Sequence, residues 1–156
     1  MKRYSGYEIQ SKRDRSDKIV RQYLADLLTE YLDKTREAQE AAIFTQMTVI
    51  WPDIEALVAR LEKILSIVEK TDYEMSTFFS SSRLEGFDPK VLILAEAEIM
   101  KLLRNLRVTF SDFYDSIESG LLDVSSENMV QILRNVSRIE ALYTERITLI
   151  REYRKF

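Results

Sequence analysis

The sequence predicts an all-α protein, an antiparallel up-down-up-down four-helix bundle of helices of about thirty residues with a short N-terminal arm. Four stretches repeat apolar side chains every three or four residues, which is the spacing of one face of a helix. Glycine and proline, which interrupt helices, occur only three times and twice. Short connections join the stretches, so consecutive helices are expected to be antiparallel neighbours. Two long helical hairpins that exchange partners in a dimer would fit the same pattern.

The chain of 156 residues fits one bundle domain over residues 16–156, preceded by a basic arm over residues 1–15. The arm lacks apolar periodicity and contains Gly6, so we expect it to be weakly ordered. Ser16 is the expected N-cap of the first helix, because its hydroxyl can accept a hydrogen bond from a free amide of the first turn. The apolar positions of this helix are Val20, Leu24, Leu27, Tyr31, Ala38 and Ala41.

The second helix is expected to begin at Trp51-Pro52, because proline is well tolerated in the first turn of a helix. Its apolar positions are Ile54, Leu57, Leu61, Ile64, Val68, Met75, Phe78 and Phe79. The pattern is interrupted at Thr71-Asp72, which predicts a kink or an end of the helix near residue 71. Residues 80–87 form the clearest loop, because they combine three serines with Gly86.

The third helix is expected to begin at Asp88-Pro89, with the aspartate as N-cap and proline in the first helical position. Its apolar positions are Leu92, Ala95, Ile99, Leu102, Leu106, Phe110, Phe113 and Ile117. Gly120 is the expected C-cap, because glycine adopts the left-handed conformation without steric cost. Ser125 or Ser126 is expected to cap the fourth helix. The apolar positions of that helix are Met129, Leu133, Val136, Ile139, Tyr143, Ile147 and Ile150.

The residue types present argue against an enzyme. The chain has no cysteine and no histidine, which excludes disulfides, zinc–thiolate sites and catalysis by a thiol or an imidazole. The architecture resembles that of di-iron bundles, which require inward-facing Glu-x-x-His pairs that this chain lacks. Glu98 is the acid expected nearest the core. Asp112, Asp115 and Glu118 could bind a hard cation or form a solvated acidic face. We favour the solvated face, and expect no metal, no cofactor and no catalytic residue.

Basic side chains are concentrated at the start of the chain. Residues 1–21 hold seven basic and three acidic residues, whereas the rest of the chain holds 16 basic and 23 acidic ones. An antiparallel fourth helix would bring a second basic group to the same end of the bundle. This end is the candidate DNA- or RNA-binding site, because lysine and arginine contact phosphates and tyrosine stacks on unpaired bases. The alternatives are a solubilising tail and basic residues that favour a helix C-terminus. The candidate residues are Lys2, Arg3, Tyr4, Tyr7, Lys12, Arg13, Arg15, Lys18, Arg21, Arg151, Arg154 and Lys155.

Residues 72–79 resemble a sliding-clamp-binding peptide, which places an aliphatic residue three positions before paired aromatics. Met75, Phe78 and Phe79 match that spacing, but Asp72 stands where such peptides have glutamine. The same three apolar residues continue the helical pattern of the second helix. We therefore interpret them as core residues.

Residues 91–95 are five consecutive apolar residues, which cover every side of a helical turn. One helix of an isolated bundle buries a single face, so the surplus predicts contact with another subunit or with nearby loop residues. The candidate interface residues are Leu84, Phe87, Val91, Ile93 and Leu94. The expected function is that of a non-enzymatic structural or protein-interaction subunit, which self-associates or joins other proteins. We expect a cytoplasmic location and no membrane contact, and nucleic-acid binding is the alternative function.

Overall fold

The computed structural model describes residues 5–153, and its described part is built entirely of helices and turns, without strands. A short 3-10 turn over Ser5–Tyr7 precedes α1, and a second one over Thr48–Ile50 precedes α2. The four helices are α1 (Gln10–Phe44), α2 (Trp51–Glu69), α3 (Lys90–Glu118) and α4 (Leu122–Glu152). The all-α prediction with four packed helices is confirmed.

The helices pack in an order that differs from their order in the chain. α1 packs against α2 and α3, and α4 packs against α3 and α2. In the described range, the backbones of α2 and α3 are not neighbours, and neither are those of α1 and α4. Residues 70–89, named here the crossover segment, therefore connect two helices that lie on a diagonal. The expectation that every consecutive pair would be neighbours is wrong at this connection, because this segment is long enough to cross the bundle.

α2 is 19 residues long and ends at Glu69, so the expected length of about thirty is wrong for this helix, while the expected end near residue 71 is confirmed. Glu74 has φ 54°, a left-handed backbone that an α-helix cannot accommodate. Met75 is 80% exposed, so its interpretation as a core residue is wrong. Phe78 is fully buried and Phe79 half-buried, but they pack as parts of the crossover segment.

Three expected helix starts lie elsewhere in the structure. α1 begins at Gln10, so residues 10–15 are helical, and Ser16 is a buried interior residue instead of an N-cap. α4 begins at Leu122, and the hydroxyl of Ser125 inside it donates to the Leu121 carbonyl at 2.9 Å. α3 begins one residue after Pro89, and the Asp88 carboxylate accepts a hydrogen bond from the Lys90 amide at 3.0 Å.

The turn between α3 and α4 follows the expectation for glycine. Gly120 has φ 69°, and its amide donates to the Ile117 carbonyl at 3.0 Å. The Leu121 amide reaches back to the Ser116 carbonyl at 2.9 Å, which completes a Schellman motif. This turn and the α1–α2 turn lie at one end of the bundle, because Phe44 and Glu118 line the same surface hollow.

The apolar positions of the four helices form one continuous core. A smaller cluster lies where the crossover segment meets the two chain ends, and it defines what we call the crossover end: Tyr7, Phe78, Leu92, Ile150 and Tyr153. In the described part of the chain, no helix combines the length and the apolar character that a membrane crossing requires.

Candidate functional site

A buried arginine lies at the centre of a polar network beside the crossover end. Arg146 is 0% exposed, and its Nε donates to Glu96 Oε1 at 2.8 Å. Its Nη2 donates to Asp17 Oδ1 at 2.7 Å and to the Tyr7 hydroxyl at 2.9 Å, and its Nη1 donates to the Tyr73 hydroxyl at 2.8 Å. The network thus links α1, α3 and α4 with the N-terminal turn and the crossover segment.

Each of the two tyrosines also donates a hydrogen bond to one of the carboxylates. The hydroxyls of Tyr7 and Tyr73 lie 2.5 Å from Glu96 Oε1 and Asp17 Oδ1, respectively. Burial raises the pKa of both phenols well above its ordinary value, because it penalises a phenolate; nearby Arg146 opposes the shift, and the carboxylates add to it. Both hydroxyls therefore remain protonated and act as donors.

Glu96 is the acid at the core of α3, whereas Glu98, which was expected to be semi-buried, is half-buried. Glu96 is 0% exposed, and its Oε2 has no hydrogen-bond partner in the described structure. Burial raises the pKa of Glu96, although the charge of Arg146 works in the opposite direction. The core positions of α3 include Leu92, Glu96, Ile99 and Leu103, which follow a regular four-three-four spacing. An acid at a core position of this spacing was the signal that could have identified Glu96.

A second buried arginine fixes the N-terminal turn. Arg13 is 1% exposed, and it donates to the carbonyls of Tyr7 at 2.7 Å, Phe78 at 3.1 Å and Ser81. Burial lowers the pKa of Arg13. Gly6 packs so closely on α1 that an added Cβ would lie 1.9 Å from the Ser16 hydroxyl oxygen. Residues 5–15 are therefore packed, and the expectation of a weakly ordered arm is wrong for this part.

The structure describes seven of the twelve proposed nucleic-acid residues, and two of those seven are buried. Lys2, Arg3, Tyr4, Arg154 and Lys155 lie outside the described residues. Tyr7 and Arg13 are buried in the fold, so they are not available to a nucleic acid, and their assignment is corrected here.

The other candidate residues of this set are partly engaged in the fold. Lys12 and Arg15 are exposed, whereas Lys18 pairs with Asp14 at 2.9 Å. Arg21 donates to the carbonyls of Val68 and Glu69. Arg151 donates to the Asp72 carbonyl at 2.7 Å.

The residues near the two chain ends do meet. Tyr7 and Tyr153 both contact the ring of Phe78, with centroid distances of 5.9 and 6.3 Å.

The proposed interface residues are divided between the core and the surface. Leu84, Phe87 and Ile93 pack on the cluster of the crossover end. Val91 and Leu94 remain exposed, by 45% and 69%. Most of the predicted apolar surplus is therefore covered within the chain.

Several exposed apolar side chains that sequence reasoning missed lie at the opposite end. Residues 37–55 and 110–127, named here the turn end, include the two short turns between helices. Phe44 is 89% exposed, Val49 73% and Ile43 60%. Leu121, Leu122 and Val124 across the second turn are also exposed. The helical spacing places Ile43 and Phe44 outside the core face of α1, which contains Ala41. This spacing was the signal that could have identified them as exposed.

The turn end is also uniformly acidic. Residues 37–55 and 110–127 contain nine acidic residues and no basic one: Glu37, Glu40, Asp53, Glu55, Asp112, Asp115, Glu118, Asp123 and Glu127. Within residues 5–153, none of these nine has an ion-pair partner. Among the described residues, no group of three carboxylates is arranged to hold a metal ion, and this includes Asp112, Asp115 and Glu118.

A groove runs along the α1–α3 seam at the turn end. It consists of two open hollows of about 490 and 180 Å³ that share Glu37 and Tyr114. Ala41 and Phe44 provide apolar surface in the larger hollow, and Glu40 and Glu118 are among its acidic residues. The Tyr114 hydroxyl donates to Glu118 Oε1 at 2.8 Å. This combination of aromatic and anionic groups suits apolar and cationic side chains.

Comparison with protein-family models, with curated proteins and with solved structures finds no match to this chain. Its function is therefore inferred from its own geometry.

Proposed function

We propose that this protein is a non-enzymatic interaction or structural subunit of a larger assembly or homo-oligomer, and that it docks through the turn end. The observation that carries the proposal is the exposure of Phe44, 89%, and of Val49, 73%, within the acidic turn end. Large apolar side chains clustered on a surface and rimmed by polar ones mark interaction sites. A cytoplasmic location stays a prediction.

The closed state of the polar network supports a non-enzymatic role. Arg146 and Glu96 are 0% exposed, and Tyr7 covers them from the N-terminal turn. A catalytic acid or base must lie within hydrogen-bond reach of its substrate. These buried groups instead tie together the segments that build the crossover end, so we assign them a structural role.

We further infer an antiparallel up-down-up-down order of the helices. Arg36 of α1 bonds Glu62 of α2 at 3.2 Å. Arg21, earlier in α1, bonds the carbonyl of Glu69, later in α2. Contacts between α3 and α4 follow the same opposing order, with Ser116 on Ser125 and Glu96 on Arg146. A bundle of this kind places both short turns at one end, which assembles the turn end.

Photo-cross-linking in the native host tests the docking proposal. A photoreactive phenylalanine analogue replaces Phe44 in one version of the chain and Leu94, which is 69% exposed far from the turn end in sequence, in another. We expect discrete cross-linked protein species from position 44 that are missing from position 94. Absence of such species from position 44, or the same species from both positions, would contradict the proposal.

Nucleic-acid binding is the second candidate, because Tyr7 and Tyr153, which are close in sequence to the basic residues at either end of the chain, both contact Phe78. Gel shifts with single- and double-stranded oligonucleotides over a range of salt concentrations test it. Reversal of the exposed Lys12 and Arg15 to glutamate should abolish a shift. The same reversal of Arg138, an exposed residue of α4, should leave it unchanged. A salt-independent shift, or none, counts against this candidate.

A further inference from the structure

We propose that the occupant of the turn-end groove is a basic amphipathic segment of a partner protein, with apolar anchors at helical spacing and lysine or arginine around them. This inference rests on the proposed function, because it names the class of partner that the turn end would dock.

Charge is the first observation that selects this occupant. The nine acidic residues of the turn end stand without a single basic residue in the same stretches, and without ion pairs in the described structure. Lys34 also lines the groove, but it pairs with Glu30 of α1 at 3.3 Å. Some carboxylates elsewhere in the described chain are paired as well; Glu140, for example, pairs with Lys63 at 3.0 Å. Unpaired carboxylates around an apolar surface favour a cationic partner and disfavour anionic ones, such as nucleic acids or acidic lipid surfaces.

The lining of the groove is the second observation. Phe44 and Tyr114 offer aromatic surface between Glu40 and Glu118. An aliphatic anchor can bury against the rings, while an arginine or lysine beside it lies over a ring and pairs with a carboxylate. A purely polar polycation would leave Phe44 exposed, so the apolar anchors are part of the inference.

The length of the groove is the third observation. Its lining on α1 runs from residue 34 to residue 45, which corresponds to about 16 Å at 1.5 Å per residue. Anchors at positions i and i+7 of a docked helix are about 10 Å apart, so two turns of an amphipathic helix fit.

A second copy of this chain fits the groove less well. Association through two turn ends would place nine carboxylates of each copy against those of the other. Like charges brought together across an interface oppose association. Self-association of the chain through the groove is therefore one of the results that the test below distinguishes.

Fluorescence anisotropy with a labelled synthetic peptide tests the proposal on the full chain. The probe is a peptide of about fourteen residues, four turns of helix, with leucine on one face and lysine and arginine on the other. The comparison peptides are a scrambled sequence of identical composition, an oligolysine and a version with glutamate in place of the basic residues. We expect binding of the amphipathic basic peptide, at least tenfold weaker binding of the other three, and loss of affinity as salt rises.

Matched variants test whether the peptide binds in the groove. Phe44→Ser should weaken binding tenfold or more, because it removes the central apolar contact. Glu118→Lys should weaken it about fivefold or more at low salt, because it reverses the charge of one unpaired carboxylate. The controls are Leu94→Ser and Glu145→Lys, which change another exposed apolar residue and an exposed acid, both outside the groove. Neither control should alter the affinity.

The inference is overturned if Phe44→Ser leaves the affinity unchanged, or if oligolysine binds as tightly as the amphipathic peptide. Light scattering that shows self-association abolished by Phe44→Ser would also overturn it, since the occupant would then be a second copy. If cross-linking from position 44 traps a partner whose contacting segment is not basic, the docking function holds and only this inference fails. If position 44 yields no cross-link, the docking function itself fails.

Discussion

Arg146→Met is the substitution that should damage the fold most. It would leave the carboxylates of Glu96 and Asp17 buried without the guanidinium that binds both, at 2.8 and 2.7 Å. Burial of an unpaired charge is far more costly than burial of an apolar side chain. The two tyrosine hydroxyls would lose a donor as well. We expect a cooperative loss of stability, and no effect confined to one segment, because the network joins three helices and two connecting segments.

The expected magnitude follows from burial and pairing. Removal of one partner from a buried ion pair costs about 3–5 kcal/mol, and Arg146, itself 0% exposed, has two buried carboxylate partners, which places the cost in the upper half of this range. For a domain of this size, that corresponds to a fall in Tm of roughly 8–20 °C. Urea unfolding followed by circular dichroism measures the free energy of unfolding, and a thermal scan measures Tm.

Two further variants separate this cause from a general effect of arginine loss. Arg134→Met changes an exposed arginine of the same helix and should alter stability by less than about 0.5 kcal/mol. Addition of Glu96→Gln and Asp17→Asn to Arg146→Met removes the stranded charges, and should restore at least half of the lost stability. A loss below about 1 kcal/mol for Arg146→Met, or no recovery in the triple variant, would refute the reasoning.

Three other substitutions have defined outcomes. Folding raises the pKa of Glu96. The contribution of Glu96 to stability is therefore fully present below about pH 4.3, its pKa in the unfolded chain, and is lost as pH rises through its pKa in the folded chain. Glu96→Gln should therefore gain stability relative to the parent chain between pH 4 and pH 7 in urea titrations, and a pH-independent difference would argue against the raised pKa. Tyr7→Phe should lower the free energy of unfolding by about 1–3 kcal/mol, because it removes a buried hydroxyl that bonds two charged groups. The control Tyr23→Phe should lower it little. Equal losses of stability in the two variants would exclude a specific role for the Tyr7 hydroxyl. Phe44→Ser should change the free energy of unfolding by less than about 0.5 kcal/mol, because Phe44 is 89% exposed, and a larger loss would mean that Phe44 supports the fold.

The helical spacing of apolar residues predicted most of the core, and it failed where charged residues occupy core positions. Leu106, Phe110, Phe113 and Ile117 were placed correctly on α3. Glu96 occupies the same face but was not among the predicted core positions, because an acid is rarely buried without a partner. Its partner Arg146 is 50 residues away in the chain, so only the fold reveals that the pair exists.

The crossover segment shows a second limit. Met75, Phe78 and Phe79 continue the spacing of α2 by coincidence, so periodicity alone extended the helix beyond Glu69. Tyr73 leaves the helical path and bonds Asp17 and Arg146, and these tertiary contacts override local helix preference. The crossover segment is longer than expected, and this length allows α2 and α3 to lie on a diagonal of the bundle.

The turn end could be predicted only in part. The absence of basic residues from residues 37–55 and 110–127 can be counted in the sequence, but nothing there brings the two stretches together. Val49 had no periodicity to mark it as exposed, because it lies beyond the end of α1. The packing of α1 against α3 brings the apolar turn between α1 and α2 close to the acidic turn between α3 and α4.

Oxidative footprinting of the chain in its native assembly tests the central claim, that the turn end is the docking surface, most directly. Hydroxyl radicals modify exposed Phe44 and Met75, which are 89% exposed in the turn end and 80% exposed in the crossover segment. We predict that Phe44 becomes protected in the assembly relative to the free chain, while Met75 stays equally reactive. Equal reactivity of Phe44 in both states, with protection of Met75 and Leu94 instead, would contradict the claim.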